Sequence, residues 1–152
     1  MKISNIFFLF LCILATPINL VQADELLDGI KRITPDNPLG EEYTIEEAVS
    51  KFEGKFHKKV LLPRYLPFEV THSGGSYSEA QKHITVTYYN EHSQAKVQID
   101  TFYQPISKGI SGETVKLKDG SKAIYRTDIG SGFDFLFIEK DDFNYYLGIK
   151  SL

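Results

Sequence analysis

The hydrophobic pattern changes along the chain from helical spacing to strand alternation. Four apolar residues share one face of a helix: Ile45, Ala48, Val49 and Phe52. Thr44 and Glu47 stand just before and within this run with the spacing of a capping box, in which each side chain accepts a hydrogen bond from the other residue's backbone N–H. The pattern therefore predicts a helix from about residue 45 to residue 52 that ends near Gly54.

Beyond the helix, residues 62–68 form a proline-punctuated, extended passage, and alternation of apolar and polar residues then predicts three β-hairpins. In the first hairpin, the two facing apolar sets are Ile84, Val86 and Tyr88 against Ala95, Val97 and Ile99. Facing residues share one side of a sheet, so the loop must hold an even number of residues. Either Glu91-His92 or residues 91–94 satisfies this condition.

The second hairpin is predicted at Asp119-Gly120, because this dipeptide favours a type I′ turn, which needs positive φ at both central residues. A two-residue turn at this point sets Val115 opposite Ile124.

The third hairpin is predicted to turn at Asp141-Asp142. The resulting pairs are Phe135 with Gly148, Leu136 with Leu147, Phe137 with Tyr146 and Ile138 with Tyr145. Both faces of this hairpin are apolar, and strands of that kind are covered on both sides. We expect the capped helix on one face, and a second layer, a partner or a ligand on the other. The fold class is α+β, with a twisted antiparallel sheet of about six to seven strands built from hairpins and at least one N-terminal helix packed on one face.

The first 23 residues have the pattern of a secretory signal peptide. Lys2 precedes an apolar run at residues 6–15, and small residues lead to a cleavage site after Ala23. The prediction is a signal peptide at 1–23, a flexible N-terminal arm at 24–42 and a single α+β domain at 43–152, exported from the cytoplasm. An uncleaved anchor is the alternative, although Pro17 and Asn19 interrupt the apolar run. Within the arm, a short helix is predicted from the spacing of Leu26, Leu27, Ile30 and Ile33.

Composition and charge exclude several classes of partner. The only cysteine is Cys12, inside the signal peptide, so no disulfide is expected in the exported protein. The net charge of −3 argues against a nucleic-acid partner, and removal of Lys2 makes it more negative. No membrane span is expected after cleavage, and no cofactor.

No catalytic or metal motif is recognisable. The four histidines, His57, His72, His83 and His92, are not spaced as metal ligands and are expected to be solvated surface residues, so no metal site is predicted. The serines of Ser73-Gly74-Gly75 and Gly130-Ser131-Gly132 lack a nucleophile elbow, and these segments are interpreted as loops. Asp100 and Asp134 lie inside predicted strands, where an acidic residue more often protects an edge than acts in catalysis. No catalytic residue is therefore predicted.

Aromatic residues make up 13% of the chain, and most are expected to form the core of the sheet. The two-sided hairpin suggests a more specific hypothesis. Four of its residues, Phe133, Phe135, Phe137 and Tyr146, would line an open concavity able to hold an acyl chain or a partner's apolar side chain.

The order of these elements resembles a known family. A helix, the segment Leu62-Pro63-Arg64-Tyr65-Leu66-Pro67 and a series of hairpins ending in Phe143-Asn144-Tyr145-Tyr146-Leu147-Gly148-Ile149 are similar to the domain of unknown function 4367 family, over roughly residues 43 to 152. Its members are secreted or membrane-tethered bacterial proteins. The resemblance implies an extracytoplasmic accessory or sensory domain without an assigned activity.

Three functional hypotheses follow. The first is a non-catalytic interaction or sensory domain of the cell envelope, which predicts an uncovered apolar patch or a free sheet edge. The second is a carrier of a hydrophobic ligand such as a lipid, which predicts an enclosed cavity beneath the last hairpin. The third is a cell-envelope hydrolase, which requires polar titratable groups that converge in one cleft, with at least two of the histidines, Asp100 and Asp134 within hydrogen-bonding distance.

Overall fold

A single helix packs on a seven-stranded antiparallel sheet in the computed structural model, which describes residues 33–103, 110–128 and 130–150. The helix, α1, is Ile45–Phe56. The strands are β1 (His72–Ser78), β2 (His83–Tyr89), β3 (Lys96–Phe102), β4 (Glu113–Lys116), β5 (Lys122–Asp128), β6 (Phe133–Lys140) and β7 (Phe143–Lys150). The predicted signal peptide, residues 24–32 of the predicted arm and the short helix predicted there, apart from Ile33, lie outside the described residues.

The strand order is β1-β2-β3-β7-β6-β5-β4, and the sheet is not closed. β7 therefore joins two halves of the sheet, one formed by β1 to β3 and the other by β4 to β6. All neighbouring pairs are antiparallel. The predicted α+β class, with an N-terminal helix on one face of a sheet of this size, is confirmed.

The capping box of α1 forms as predicted. The Thr44 hydroxyl accepts from the Glu47 N–H at 3.2 Å, and the Glu47 carboxylate accepts from the Thr44 N–H at 3.0 Å. The predicted C-terminal end was wrong by about one turn, because Gly54 remains helical and the helix ends at Phe56. Tertiary packing explains the extra turn, since the Phe56 ring lies 4.7 Å from that of Tyr103.

The first hairpin adopts the four-residue alternative, and the predicted register of the third hairpin is confirmed. The β2–β3 loop has four residues, 91–94, and the Asn90 N–H donates to the Ala95 carbonyl just before it. The β6–β7 pairs are those predicted. Asp141 and Asp142 have φ of 54° and 66°, as a type I′ turn requires.

The predicted register of the second hairpin was wrong by one residue. Ile124 pairs with Thr114 instead of Val115, and the Leu117 N–H donates to the Ser121 carbonyl across a three-residue loop. Gly120 takes a positive φ of 87°, whereas Asp119 does not. The Asp119 carboxylate instead accepts from the Ser121 N–H at 3.0 Å, a side-chain turn that competes with the two-residue geometry.

Strand β1 was not predicted, because its glycines suggested a loop. Gly74 and Gly75 pair with Thr87 and Val86 of β2. A Cβ added at Gly75 would lie 2.8 Å from the Ala48 Cβ, so the missing side chain is what allows α1 to approach the sheet.

The two faces of the sheet differ. The helix face carries α1, which lies over β1 and β2, and the buried core residues there include Ala48, Phe52, Ile84, Val86, Val97, Ile99, Phe143 and Tyr145. The expectation that α1 covers the last hairpin was wrong in its extent. α1 reaches β7 through Phe52 and Phe143, whose rings lie 5.4 Å apart, and irregular residues such as Leu62 and Leu66 also pack against this core. The opposite side is called the far face below.

Candidate functional site

Two adjoining concavities lie on the far face and together form what we call the aromatic groove. The larger, about 470 Å³, lies between Phe102, Arg126, Phe137 and Tyr146, with Ile110 at its wall. The smaller, about 260 Å³, lies between Gln98, Ser131, Phe133 and Gly148. Asp100 and Phe135 line both. The structure thus places all four aromatic residues singled out in the sequence in the groove, Phe133 beside the smaller concavity and Phe137 and Tyr146 beside the larger.

Strand β6 supplies one wall as a row of rings. Alternate residues of a strand point to the same face, and the ring centroids of Phe133, Phe135 and Phe137 are spaced 5.8 and 6.2 Å apart with planes tilted by 23°. Phe135 is paired with Gly148 of β7. A Cβ at Gly148 would lie 3.2 Å from the Phe135 ring and 3.3 Å from the Phe133 ring. The glycine therefore lets two rings lie against the β7 backbone.

The aromatic row continues across the sheet to β2. Tyr146 meets Phe137 edge to face at 4.8 Å and Phe102 at 5.4 Å. Phe102 in turn stacks on the imidazole of His83 at 4.1 Å, with planes 9° apart. Burial raises the pKa of Tyr146 above its ordinary value.

Arg126 places a cation above the apolar wall. Its guanidinium carbon lies 5.7 Å from the centroids of both Phe135 and Phe137, within the range of a cation–π interaction. No carboxylate lies within ion-pair distance of Arg126 in the part of the chain that the structure describes. Its exposed donors are therefore available to a ligand or partner.

Asp100 lies between the two concavities in a hydrogen-bonded cluster. Its carboxylate meets His83 Nε2 at 3.1 Å, and it accepts from the Thr85 hydroxyl at 2.7 Å and the Gln98 amide at 3.0 Å. Burial alone would raise the pKa of Asp100, but the hydrogen bonds from His83, Thr85 and Gln98 outweigh it, so the pKa lies below its ordinary value. Asp100 is therefore ionised and its charge is compensated by three neighbours.

The prediction that His83 is a solvated surface residue was wrong, because the side chain is only 18% exposed. Sequence spacing could not show that it meets Asp100, which is 17 residues away on another strand. His83 and Asp100 therefore lie within hydrogen-bonding distance, as the hydrolase hypothesis requires of at least two titratable residues. The rest of the arrangement does not resemble a catalytic triad, since Asp100 and the Thr85 hydroxyl both face the same ring nitrogen, Nε2, at 3.1 and 3.3 Å.

The other titratable candidates lie apart from this cluster. Asp134 accepts from the Thr127 hydroxyl at 2.8 Å. His72 contacts the Thr71 hydroxyl, and His57 ends α1. His92 stands in the β2–β3 loop, 3.7 Å from Glu91. These residues do not converge on one cleft.

Two features are absent from residues 33–103, 110–128 and 130–150: a cluster of metal-ligating side chains and a membrane-spanning helix. No group of three or more His, Cys, Asp or Glu side chains within these ranges could hold a metal ion. Nor do they include a helix of sufficient length and apolar character to span a bilayer.

Comparison of the chain with protein-family models, with curated proteins and with solved structures found no match.

Proposed function

We propose that this protein is a non-catalytic interaction or sensory domain of the bacterial cell envelope, and that it binds its partner in the aromatic groove. The observation that supports this most directly is the groove itself. It is an apolar, partly exposed depression on the far face, bordered by Phe133, Phe135 and Phe137, with an unpaired guanidinium at Arg126. Apolar depressions of this kind are typical of recognition sites.

The carrier hypothesis receives less support. A lipid carrier needs an enclosed cavity beneath the last hairpin, whereas both concavities open onto the surface. A ligand lying in them would keep much of its surface in water, while small-molecule sites bury most of their ligand. Partner recognition requires less enclosure, since the partner itself covers the groove.

The hydrolase hypothesis also receives less support. Asp100 lines the groove and meets His83, but the hydroxyl next to this pair, that of Thr85, donates to the carboxylate instead of to a free imidazole nitrogen. A general base needs a proton donor within reach on the substrate side. The cluster is better explained as a support that fixes the floor of the groove.

The cellular location is part of the same proposal. It is supported by the signal-peptide pattern of residues 1–23 and by the resemblance to the domain of unknown function 4367 family. An exported domain that acts by binding fits both features.

Site-specific photo-cross-linking in intact source cells tests the proposal. A photoreactive residue at Ser131, which borders the smaller concavity, should give a discrete protein adduct. The same residue at Tyr65, which is 91% exposed and does not line the groove, is the matched control. The Phe135→Ser substitution should abolish the Ser131 adduct while circular dichroism confirms an intact fold. Adducts that are equal at both positions, or that persist in Phe135→Ser, would contradict the proposal.

A further inference from the structure

The far face carries two pairs of lysines, and the two members of each pair lie opposite each other on neighbouring strands. Lys96 of β3 is the register partner of Lys150 of β7, and Lys116 of β4 is the partner of Lys122 of β5. Like charges placed directly opposite each other in adjacent strands are destabilising. The chain keeps this arrangement twice on the same face, so an anion bound between the members of a pair would relieve a repulsion built into the fold.

These lysines form no ion pairs among the described residues, and Arg126 is likewise unpaired. Lys55, Lys58, Lys59 and Lys140 do contact acidic residues. The chain as a whole is acidic, with a net charge of −3. Five unpaired cations therefore lie on the face that carries the aromatic groove, and the other unpaired ones among the described residues are spread over α1, loops and turns: Lys51, Arg64, Lys82 and Lys118.

The acidic residues of the far face form no ion pairs with these cations. Asp100 is occupied by His83, Thr85 and Gln98. Glu41 accepts from the Ser76 and Thr87 hydroxyls at the other end of the sheet, at 3.0 and 2.8 Å. Two further acids point to this face. Asp128 accepts from the Gly130 N–H at 3.1 Å, and Glu139 is exposed near the β6–β7 turn.

The repeat of the aromatic rings along β6 is close to the side-chain repeat of an extended peptide. Successive residues of an extended chain advance by about 3.4 Å, so side chains on the same side are about 7 Å apart. The rings of Phe133, Phe135 and Phe137 repeat at 5.8 and 6.2 Å, and the two concavities lie on either side of Phe135. Two alternate apolar side chains of a peptide lying along β6 could enter one concavity each.

A lysine stands at each end of this track, and the acidic residues Asp128, the register partner of Phe133, and Glu139 lie at the same two ends. Lys150 is one residue beyond the Asp134–Ile149 pair, next to Phe133, whereas Lys122 is two residues beyond Ile124, the partner of Phe137. A single-chain amphiphile carries its anionic group at one end only. A peptide can carry carboxylates at both ends of an apolar pair.

We propose that the aromatic groove binds an extended acidic segment of a partner protein, with alternate apolar side chains in the two concavities and carboxylates at Arg126 and the lysine pairs. This inference rests on the proposed function and names the chemistry of the partner. Lys96 and Lys150 receive one acidic residue, and Arg126 receives another by the planar, bidentate contact that guanidinium groups make with carboxylates.

Affinity selection with three probes tests the inference on the purified exported protein. The first two are libraries of blocked heptapeptides with two alternate apolar residues, flanked by Asp and Glu in one library and by Lys and Arg in the other. The third is dodecanoate. We expect the acidic library to be recovered at least about tenfold above the basic one, a difference that decreases as salt is added.

Two sets of variants identify the site. Phe135→Ser should abolish recovery of the acidic library, and the double variant Lys96→Gln/Lys150→Gln should lower it about tenfold. Lys51→Gln/Lys59→Gln removes the same charge from the α1 side of the molecule and should change nothing.

Each alternative result has a distinct meaning. Phe135-dependent recovery of both libraries equally, or of the basic library alone, overturns the acidic chemistry and leaves the groove as a binding site. Phe135-dependent binding of dodecanoate alone replaces the peptide with a single-chain amphiphile. No Phe135-dependent binding of any probe overturns the inference. The cross-linking experiment then decides separately whether the proposed function also fails.

Discussion

His83 and Asp100 meet on the far face of the sheet, where the imidazole Nε2 lies 3.1 Å from a carboxylate oxygen. Both side chains are largely buried, with 18% and 24% of their surface exposed. An ionised carboxylate at this depth is tolerated because hydrogen-bond donors surround it. The pair therefore links the stability of the sheet to the floor of the aromatic groove.

Stability should depend on Asp100 in a pH-dependent way. Because its folded-state pKa lies below the ordinary value of 3.8, the ionised form stabilises the fold above that pH, and this stabilisation is lost as the pH falls through the lower folded-state pKa. Asp100→Asn should lower the free energy of unfolding at pH 7 by about 1.5 to 3 kcal/mol, and the difference should shrink towards pH 2. Urea unfolding followed by circular dichroism measures both values. Asp36→Asn, at an exposed position, is the control, and a difference independent of pH would contradict the assignment.

Removal of the Thr44 hydroxyl from the capping box should lower the free energy of unfolding. Thr44→Ala removes the acceptor for the Glu47 N–H and should cost about 1 kcal/mol of unfolding free energy. Ser50→Ala lies on the exposed side of the same helix and should be neutral or slightly stabilising. Thermal or urea unfolding of the two variants gives the comparison. Equal effects would mean that the cap contributes nothing.

Two glycines near α1 should respond oppositely to alanine. Gly75→Ala brings a Cβ to 2.8 Å from the Ala48 Cβ, so we expect a loss of about 1 to 3 kcal/mol. Gly54→Ala meets no atom within 4 Å inside the helix and should gain about 0.5 to 1 kcal/mol. Ala48→Gly combined with Gly75→Ala should recover part of the loss, which separates the steric clash from a general effect of strand substitution.

A charge reversal at Lys96 should increase stability and weaken binding. Lys96→Glu replaces the like-charged pair with Lys150 by an opposite-charged one and should raise the free energy of unfolding by about 0.5 kcal/mol at low salt. The gain should disappear at about 1 M salt, while binding of the acidic peptide library falls. Lys118→Glu makes the same charge change in an exposed turn. An equal gain in that control would mean that net charge, and not the pair, is responsible.

Local signals explain what the sequence could predict. The capping box at Thr44 and the type I′ turn at Asp141-Asp142 depend on residues within four positions of each other, and both form as expected. At Asp119-Gly120 the same reasoning failed, because the Asp119 carboxylate binds the Ser121 N–H and selects a longer loop. Turn type was set there by a side chain that simple dipeptide preferences do not include.

Long-range packing explains which features could not be predicted from the sequence. The glycines of β1 suggest a loop until Ala48 of α1 is seen to lie against Gly75. Period-two alternation places Phe133, Phe135 and Phe137 on one face of β6. Asp100 of β3 and Arg126 of β5 lie near these rings only because the strand order is β3-β7-β6-β5. That order pairs strands distant in sequence, and no local pattern specifies it.

The position of β7 at the centre of the sheet has a consequence for how the chain folds. β3 and β6 both hydrogen-bond to it, so the halves β1 to β3 and β4 to β6 stay separate until the last described strand is available. Pairing of this kind loses the entropy of closing long loops before the contacts between the strands form, and this slows folding. The two lines of side chains that form the groove are therefore brought together in the final step, and the binding surface should appear all at once with the completed fold.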